Sequence, residues 1–175
     1  MLKKVLIGIV GLCALLAVIG LLLPRTVRVE RSILIARPPA AVFTVVNDQR
    51  QFNAWSPWFG LDPAAKYELS GPPIGPGAAF SWSGSSDTIG VGTQRIVASV
   101  PDSRIDVVLE MEGFNAAASH WTFEPTAEGT RVNWAFESEL GLNPLMRWMG
   151  LFMDGLVGPD YARGLARLKT YIEKA

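Results

Sequence analysis

The chain has 175 residues, 49% of them hydrophobic, with 16 basic and 16 acidic side chains, one His and one Cys. The only cysteine, Cys13, falls inside an apolar N-terminal run, so no disulfide forms within the chain, and a zinc centre lacks ligands. No basic stripe is present, which excludes a nucleic-acid partner, and neither a cofactor nor a metal is expected.

Val5–Leu23 runs nineteen residues without a charged or hydrogen-bonding side chain. At ~1.5 Å per residue such a helix just spans a hydrocarbon core ~30 Å thick. Thirteen of the nineteen are Leu, Ile or Val. Inserting them gains at most on the order of 4 to 8 kcal/mol. A cleaved signal peptide and a buried core helix are the alternatives. Signal peptides usually carry a shorter apolar region of about 7–15 residues that ends at small side chains. Here the run ends Leu21-Leu22-Leu23-Pro24-Arg25, and Leu12-Cys13 in mid-run is a poor lipid-attachment site. The expectation is a retained single-pass anchor over residues 1–24, followed by one domain over 25–175.

Thr26–Ile35 is β-branched and reads as a strand that leaves the anchor directly. Pro38-Pro39 breaks it, Ala40–Val46 reads as a short helix, and Gln51–Pro57 as a second helical turn. Six strands follow, over Lys66–Ser70, Ala78–Ser83, Gly90–Val100, Arg104–Glu112, Ala117–Glu124 and Thr130–Leu140, with turn residues between them. Alternation places Ile105, Val107, Leu109 and Met111 on one face, and Arg104, Asp106, Glu110 and Glu112 on the other. Trp121 and Phe123 share the dry face with Val132, Trp134 and Phe136, and Phe80 with Trp82 repeat the pattern. Gly90–Val100 is ambiguous, because its apolar residues fall on both faces. Asn143-Pro144 caps a helix, Leu145–Leu156 is apolar nearly all round, and Gly158-Pro159 is expected to kink or restart it. Pro159–Lys174 is amphipathic through Tyr161, Leu165, Leu168 and Ile172.

A curved antiparallel sheet must bury one face, and only the C-terminal helix is long enough to cover it. The predicted architecture is therefore α+β: about seven strands wrapped around a long C-terminal helix, plus one N-terminal transmembrane helix. Space left between sheet and helix becomes a cavity.

This order resembles the helix-grip fold of the START / Bet v 1-like superfamily, often called SRPBCC, and within it the polyketide cyclase/dehydrase-type group. The residues that carry the resemblance are Ile33–Phe43 (first strand and helix start), Asp48 with Trp55-Ser56-Pro57-Trp58 (aromatic turn), Gly75–Gly84, Thr130–Trp134 and Gly164–Lys169. The likeness spans roughly residues 26–175. It implies an apolar ligand held between sheet and helix, and it does not by itself imply a reaction.

Candidate ligand-binding residues follow from the inward faces and the cavity rim. They comprise Trp55 and Trp58, then Phe80, Trp82, Leu109 and Met111 from the strands. Trp121, Phe123, Trp134 and Phe136 add to these, with Met149, Phe152 and Met153 from the Met-rich segment. Arg31 shares parity with Val29 and Ile33, and is a candidate for fixing a polar head group or a lipid phosphate. His120 lies by alternation on the wet face and is read as a surface imidazole. Asp106, Glu110 and Glu112 are read as a solvated row, so no catalytic residue is assigned.

The expected function is binding of a hydrophobic small molecule (lipid, isoprenoid or polyketide-like) by a protein tethered to the bilayer through residues 5–23. A cyclase/dehydratase-type enzyme and a structural or stress-related protein with a filled cavity are the alternatives. Lys3 and Lys4 favour an exported domain at a bacterial inner membrane, whereas Arg25, Arg28, Arg31 and Arg37 favour a cytoplasmic one. With Arg28 and Arg31 engaged in a folded strand, the balance tips to export.

Overall fold

The computed structural model describes residues 2–174. Helix α1 (Leu2–Leu22) leads through a short connection into β1 (Thr26–Ile35). Then come α2 (Pro39–Val46), a 3₁₀ turn at Gln49–Gln51 and α3 (Phe52–Trp55). Strands β2 (Lys66–Ser70), β3 (Ala79–Ser83), β4 (Val91–Val100), β5 (Arg104–Met111), β6 (Ala117–Thr126) and β7 (Gly129–Glu139) precede α4 (Pro144–Gly150) and α5 (Met153–Lys174). The strands form one antiparallel sheet in the order β1-β7-β6-β5-β4-β3-β2, a meander whose first strand returns to pair with the last. Its concave face holds α5, which gives the expected helix-grip α+β architecture.

The core is the layer between this face and the helices. Ile35, Ile96, Ile105 and Val132 from the sheet meet Val42 of α2 and Leu165, Leu168 and Ile172 of α5, all buried. Tyr161, Leu165, Leu168 and Ile172 recur at helical spacing, which is why α5 turns one stripe inward.

Two sequence expectations are corrected. The helix does not restart at Gly158-Pro159. The interruption falls at Leu151–Phe152, and α5 continues through Pro159. Gly158 serves close approach instead, since a Cβ there would lie 1.9 Å from Arg31 Nη2. Pro159 is near the start of α5 and forfeits only one helical hydrogen bond, to Gly155. The second helical turn also lies two residues earlier than expected, over 49–55, and is split between the 3₁₀ turn and α3. Asp48 caps that turn by accepting from the Arg50 backbone N–H.

The ambiguous strand is resolved by a bulge between Ile96 and Ala98. Gly92, Gln94 and Ile96 face inward, while Val91, Val97 and Val100 are exposed. Gly92 makes room for an indole: a Cβ there would come within 2.3 Å of the Trp82 ring.

Gly164 brings α5 down onto the sheet, where a Cβ would lie 2.6 Å from the Trp134 ring and 3.1 Å from Pro57 Cδ. Both neighbours are rigid. Gly164→Val is therefore expected to cost about 1–3 kcal/mol by overpacking, despite removing a helix glycine, and to lower the thermal midpoint of the detergent-solubilised chain.

Candidate ligand cavity

The interior is divided by a column of aromatic rings. Trp121 of β6 stacks on Trp134 of β7 with ring centres 4.4 Å apart, and Trp134 stacks on Tyr161 of α5 at 3.9 Å. Trp55 meets Trp121 and Trp134 edge-on at 5.7 and 6.0 Å, and Trp58 closes on Trp134 and Tyr161 at 5.8 and 6.0 Å. Antiparallel register sets Trp121 directly opposite Trp134, so alternation in two neighbouring strands builds the stack. The Trp134 Nε1–H donates to Ser119 Oγ (2.9 Å), and burial pushes the Tyr161 hydroxyl above its ordinary pKa.

Beside the column lies a cavity of about 260 Å³ between α5 and strands β2–β5. Its wall includes Trp58, Phe80, Trp82, Leu109, Met111 and Val157. A dry cavity of roughly 150 Å³ already holds benzene, so this space admits a small hydrocarbon. It lies just under the ~300 Å³ at which ordinary ligand pockets begin. A second void of about 40 Å³ adjoins it deeper in the core and is walled by Trp55, Trp121, Trp134, Ser119, Gln49 and Gln94.

The polar groups of the walls are few. Gln94 donates to Gln49 Oε1 (2.6 Å), forming a buried amide pair that touches both spaces. Trp55, only 1% exposed, keeps its Nε1–H without a partner, and so does the buried Tyr67 hydroxyl. Burial raises the Tyr67 pKa, with the Asp62 carboxylate adding to the effect. Asp160, the one carboxylate in the wall, accepts from Trp58 Nε1 (3.1 Å) and from the Arg163 guanidinium. The rim loop is latched by Asp62, which accepts from Ser85 N (2.7 Å) and Thr88 Oγ1 (3.1 Å), and by Trp82 Nε1 donating to Ile89 O.

The sequence candidates thus divide. Trp58, Phe80, Trp82, Leu109, Met111, Phe136 and Met153 line the large cavity, while Trp55, Trp121 and Trp134 border only the small void. Phe123 packs edge-on against Phe43 under α2, in neither wall. Met149 and Phe152 are exposed on the outer side of α4 and the following turn. Arg31 reaches α5 instead: its guanidinium binds Asp154 with two hydrogen bonds of 2.8 and 3.0 Å, which hold the Asp154 carboxyl below its usual pKa. Tyr67, Gln49, Gln94 and Tyr161 were not among the candidates. Tyr161 was legible as a core position, but two glutamines in short or ambiguous elements gave no inward signal.

Two wet-face expectations are corrected together. Asp106 is only 6% exposed, covered by Arg104 on its own strand and by His120 across the ladder, whose Nδ1 lies 2.8 Å from its carboxylate. His120 is accordingly half-buried in an ion-pair cluster rather than a free surface imidazole. Among the described residues no group of three His, Cys, Asp or Glu converges as a metal site.

The sequence profile of one family, described as polyketide cyclase / dehydrase and lipid transport, matches residues 26–173. The chain belongs to that family. No curated protein matches it. A Staphylococcus aureus protein of unknown function, SA2116, superposes with a TM-score of 0.65 at 14% identity, over 85% of this chain and 94% of that one. The Chromobacterium violaceum protein CV1439 gives 0.56 at 16% identity, over 86% and 99%. StfQ, a di-domain ARO/CYC protein from the steffimycin biosynthetic pathway, gives 0.62 at 16% identity, over 85% of this chain and 51% of StfQ. At such identities these likenesses establish the helix-grip fold that family members share.

Burial pushes the Asp106 carboxyl pKa up, but hydrogen bonds from Arg104 and His120 outweigh it, and the net shift is downward. A carboxylate depressed in the folded state adds stability above its ordinary range, and that stability is lost as pH falls through the folded value. Asp106→Asn is expected to lower stability at neutral pH and to flatten, but not abolish, the acid limb below the ordinary Asp range of roughly pH 4. A residual slope remains because Arg50 holds Asp48 low in the same way. Denaturant midpoints measured from pH 7 downward check both expectations.

Proposed function

We infer that the protein is a single-pass, membrane-anchored binder of an uncharged hydrophobic small molecule held between the sheet and α5. The observation that carries this reading is the 260 Å³ apolar space beside the aromatic column, in a family described by polyketide cyclisation and lipid transport. A wall with mostly apolar side chains and a few convergent polar atoms encloses a ligand and sets its orientation. The unpartnered Tyr67 hydroxyl in this wall favours a ligand that carries a neutral acceptor, such as a carbonyl or hydroxyl. A carboxylate or phosphate is disfavoured, because the wall offers no cation.

Binding is favoured over turnover. The wall's only carboxylate is occupied by Trp58 and Arg163, and no His lines either space. Helix α1, long and apolar enough to cross a bilayer, supports the membrane assignment, and Lys3 and Lys4 ahead of it favour the exported side for the domain. Such tethering keeps the cavity beside ligands dissolved in lipid.

Mass spectrometry of small molecules that co-purify with the full chain in mild detergent tests the reading. An uncharged lipid-soluble compound is expected with the parent protein and is expected to be lost in Leu109→Trp, which fills the cavity. No bound molecule, or one retained undiminished by Leu109→Trp, sinks the binding assignment. Conversion of the bound compound on incubation replaces it with the enzymatic one. A reporter fused after Ala175 is expected to be active only on the exported side.

A further inference from the structure

Helix α1 meets the domain at α4, and the contact is built. Arg147, 3% exposed, donates to the carbonyls of Leu21 and Leu23 at the end of α1 and to Gly141 O (2.8 and 2.9 Å). Those helix-end carbonyls have no partner within α1, and a guanidinium there also meets the negative end of the helix dipole. Trp148 Nε1 donates to Leu16 O (3.0 Å). Gly20 permits the approach, since a Cβ there would lie 2.7 Å from Pro144 Cβ. The anchor helix is therefore clamped to the domain rather than joined by a loose tether.

Leu16 lies six residues before the end of α1, which is ~9 Å along the axis. Amphipathic helices at a bilayer surface sink roughly 5–10 Å, so α4 lies at their depth whenever α1 spans. The side chains agree. Leu142, Leu145, Met149, Leu151, Phe152 (65%) and Leu156 (63%) are exposed together around α4 and the start of α5. Residues 140–157 contain only two charges, Arg147 and Asp154. The first is spent on backbone carbonyls and the second on Arg31. An exposed apolar patch with its charges neutralised marks an interaction surface. Its continuity with α1, itself apolar and exposed up to its last turn, identifies the occupant as lipid.

Leu156 and Met153 belong equally to the wall of the cavity. We propose that the shoulder formed by α4 and the first turn of α5 lies in the interfacial layer of the bilayer, and that the cavity mouth at Leu156 opens there onto acyl chains. This rests on the reading of α1 as a membrane span, but not on the identity of any ligand.

The test uses the full chain in phosphatidylcholine vesicles, with Cys13→Ser and a single new cysteine at Leu145, Phe152, Leu156 or Ala127, labelled with an environment-sensitive fluorophore. Ala127 lies in the β6–β7 turn, at the end of the sheet remote from α1. Labels at the shoulder positions are expected to lose their emission to a nitroxide on the acyl chain and to resist aqueous iodide, with the reverse at Ala127. Shoulder labels quenched by iodide as readily as Ala127 overturn the proposal. Labels shielded from both quenchers also overturn it, in favour of a covering protein such as a second copy. None of these outcomes depends on a bound ligand, so failure here and failure of the co-purification experiment remain separate results.

Discussion

The stack of Trp121, Trp134 and Tyr161 decides what the rest of the interior becomes. Three flat rings in series join two strands to the C-terminal helix, with centroid separations of 4.4 and 3.9 Å. Each such contact contributes about 0.5–1.5 kcal/mol beyond the area it buries. A column of rigid rings also sets a minimum distance between helix and sheet. Aliphatic side chains in its place would let α5 settle until the gap closed, as close-packed interiors do. Because the column stands to one side, the space over β2–β5 stays open. The cavity is thus a consequence of where the indoles are stacked as much as of which residues face it.

The chemistry of that space follows from what its polar atoms are already doing. Asp160 is held by two donors and Gln94 is paired with Gln49, leaving the neutral Tyr67 hydroxyl buried without a partner. A wall of this composition offers little to stabilise developing charge. Membership in the polyketide cyclase / dehydrase and lipid transport family is compatible with it, since helix-grip domains host different tasks on one scaffold.

Much of the fold was legible because its signals are local. Thr26–Ile35 and Lys66–Ser70 are strands over the expected residues, and the other strands differ only at their ends. The helix-grip order follows from having a single amphipathic element long enough to cover a sheet. The failures share a different cause. Asp106 looked solvated because alternation reports which face a residue occupies, not whether His120 from the next strand covers it. Gln94 gave no inward signal because Gly92 and Gln94 lend that face of β4 little hydrophobicity. Gly158-Pro159 resembled a break because sequence spacing does not reveal an arginine lying over the glycine. Trp121 and Trp134 were correctly read as inward, but whether they line a space or fill one depends on Tyr161, on a helix beyond the sheet.

The register of β1 constrains how the molecule is made. Its partner is β7, from Thr26 opposite Glu139 to Ile35 opposite Thr130, so the strand that follows α1 pairs with the last of the seven strands to be synthesised. At about 5–20 residues per second, several seconds of translation separate the two. Throughout that interval a β-branched segment waits with its backbone donors and acceptors lacking their β7 partners. Closure of the sheet is then a late, long-range event, and the nascent protein is exposed to misassembly during that wait.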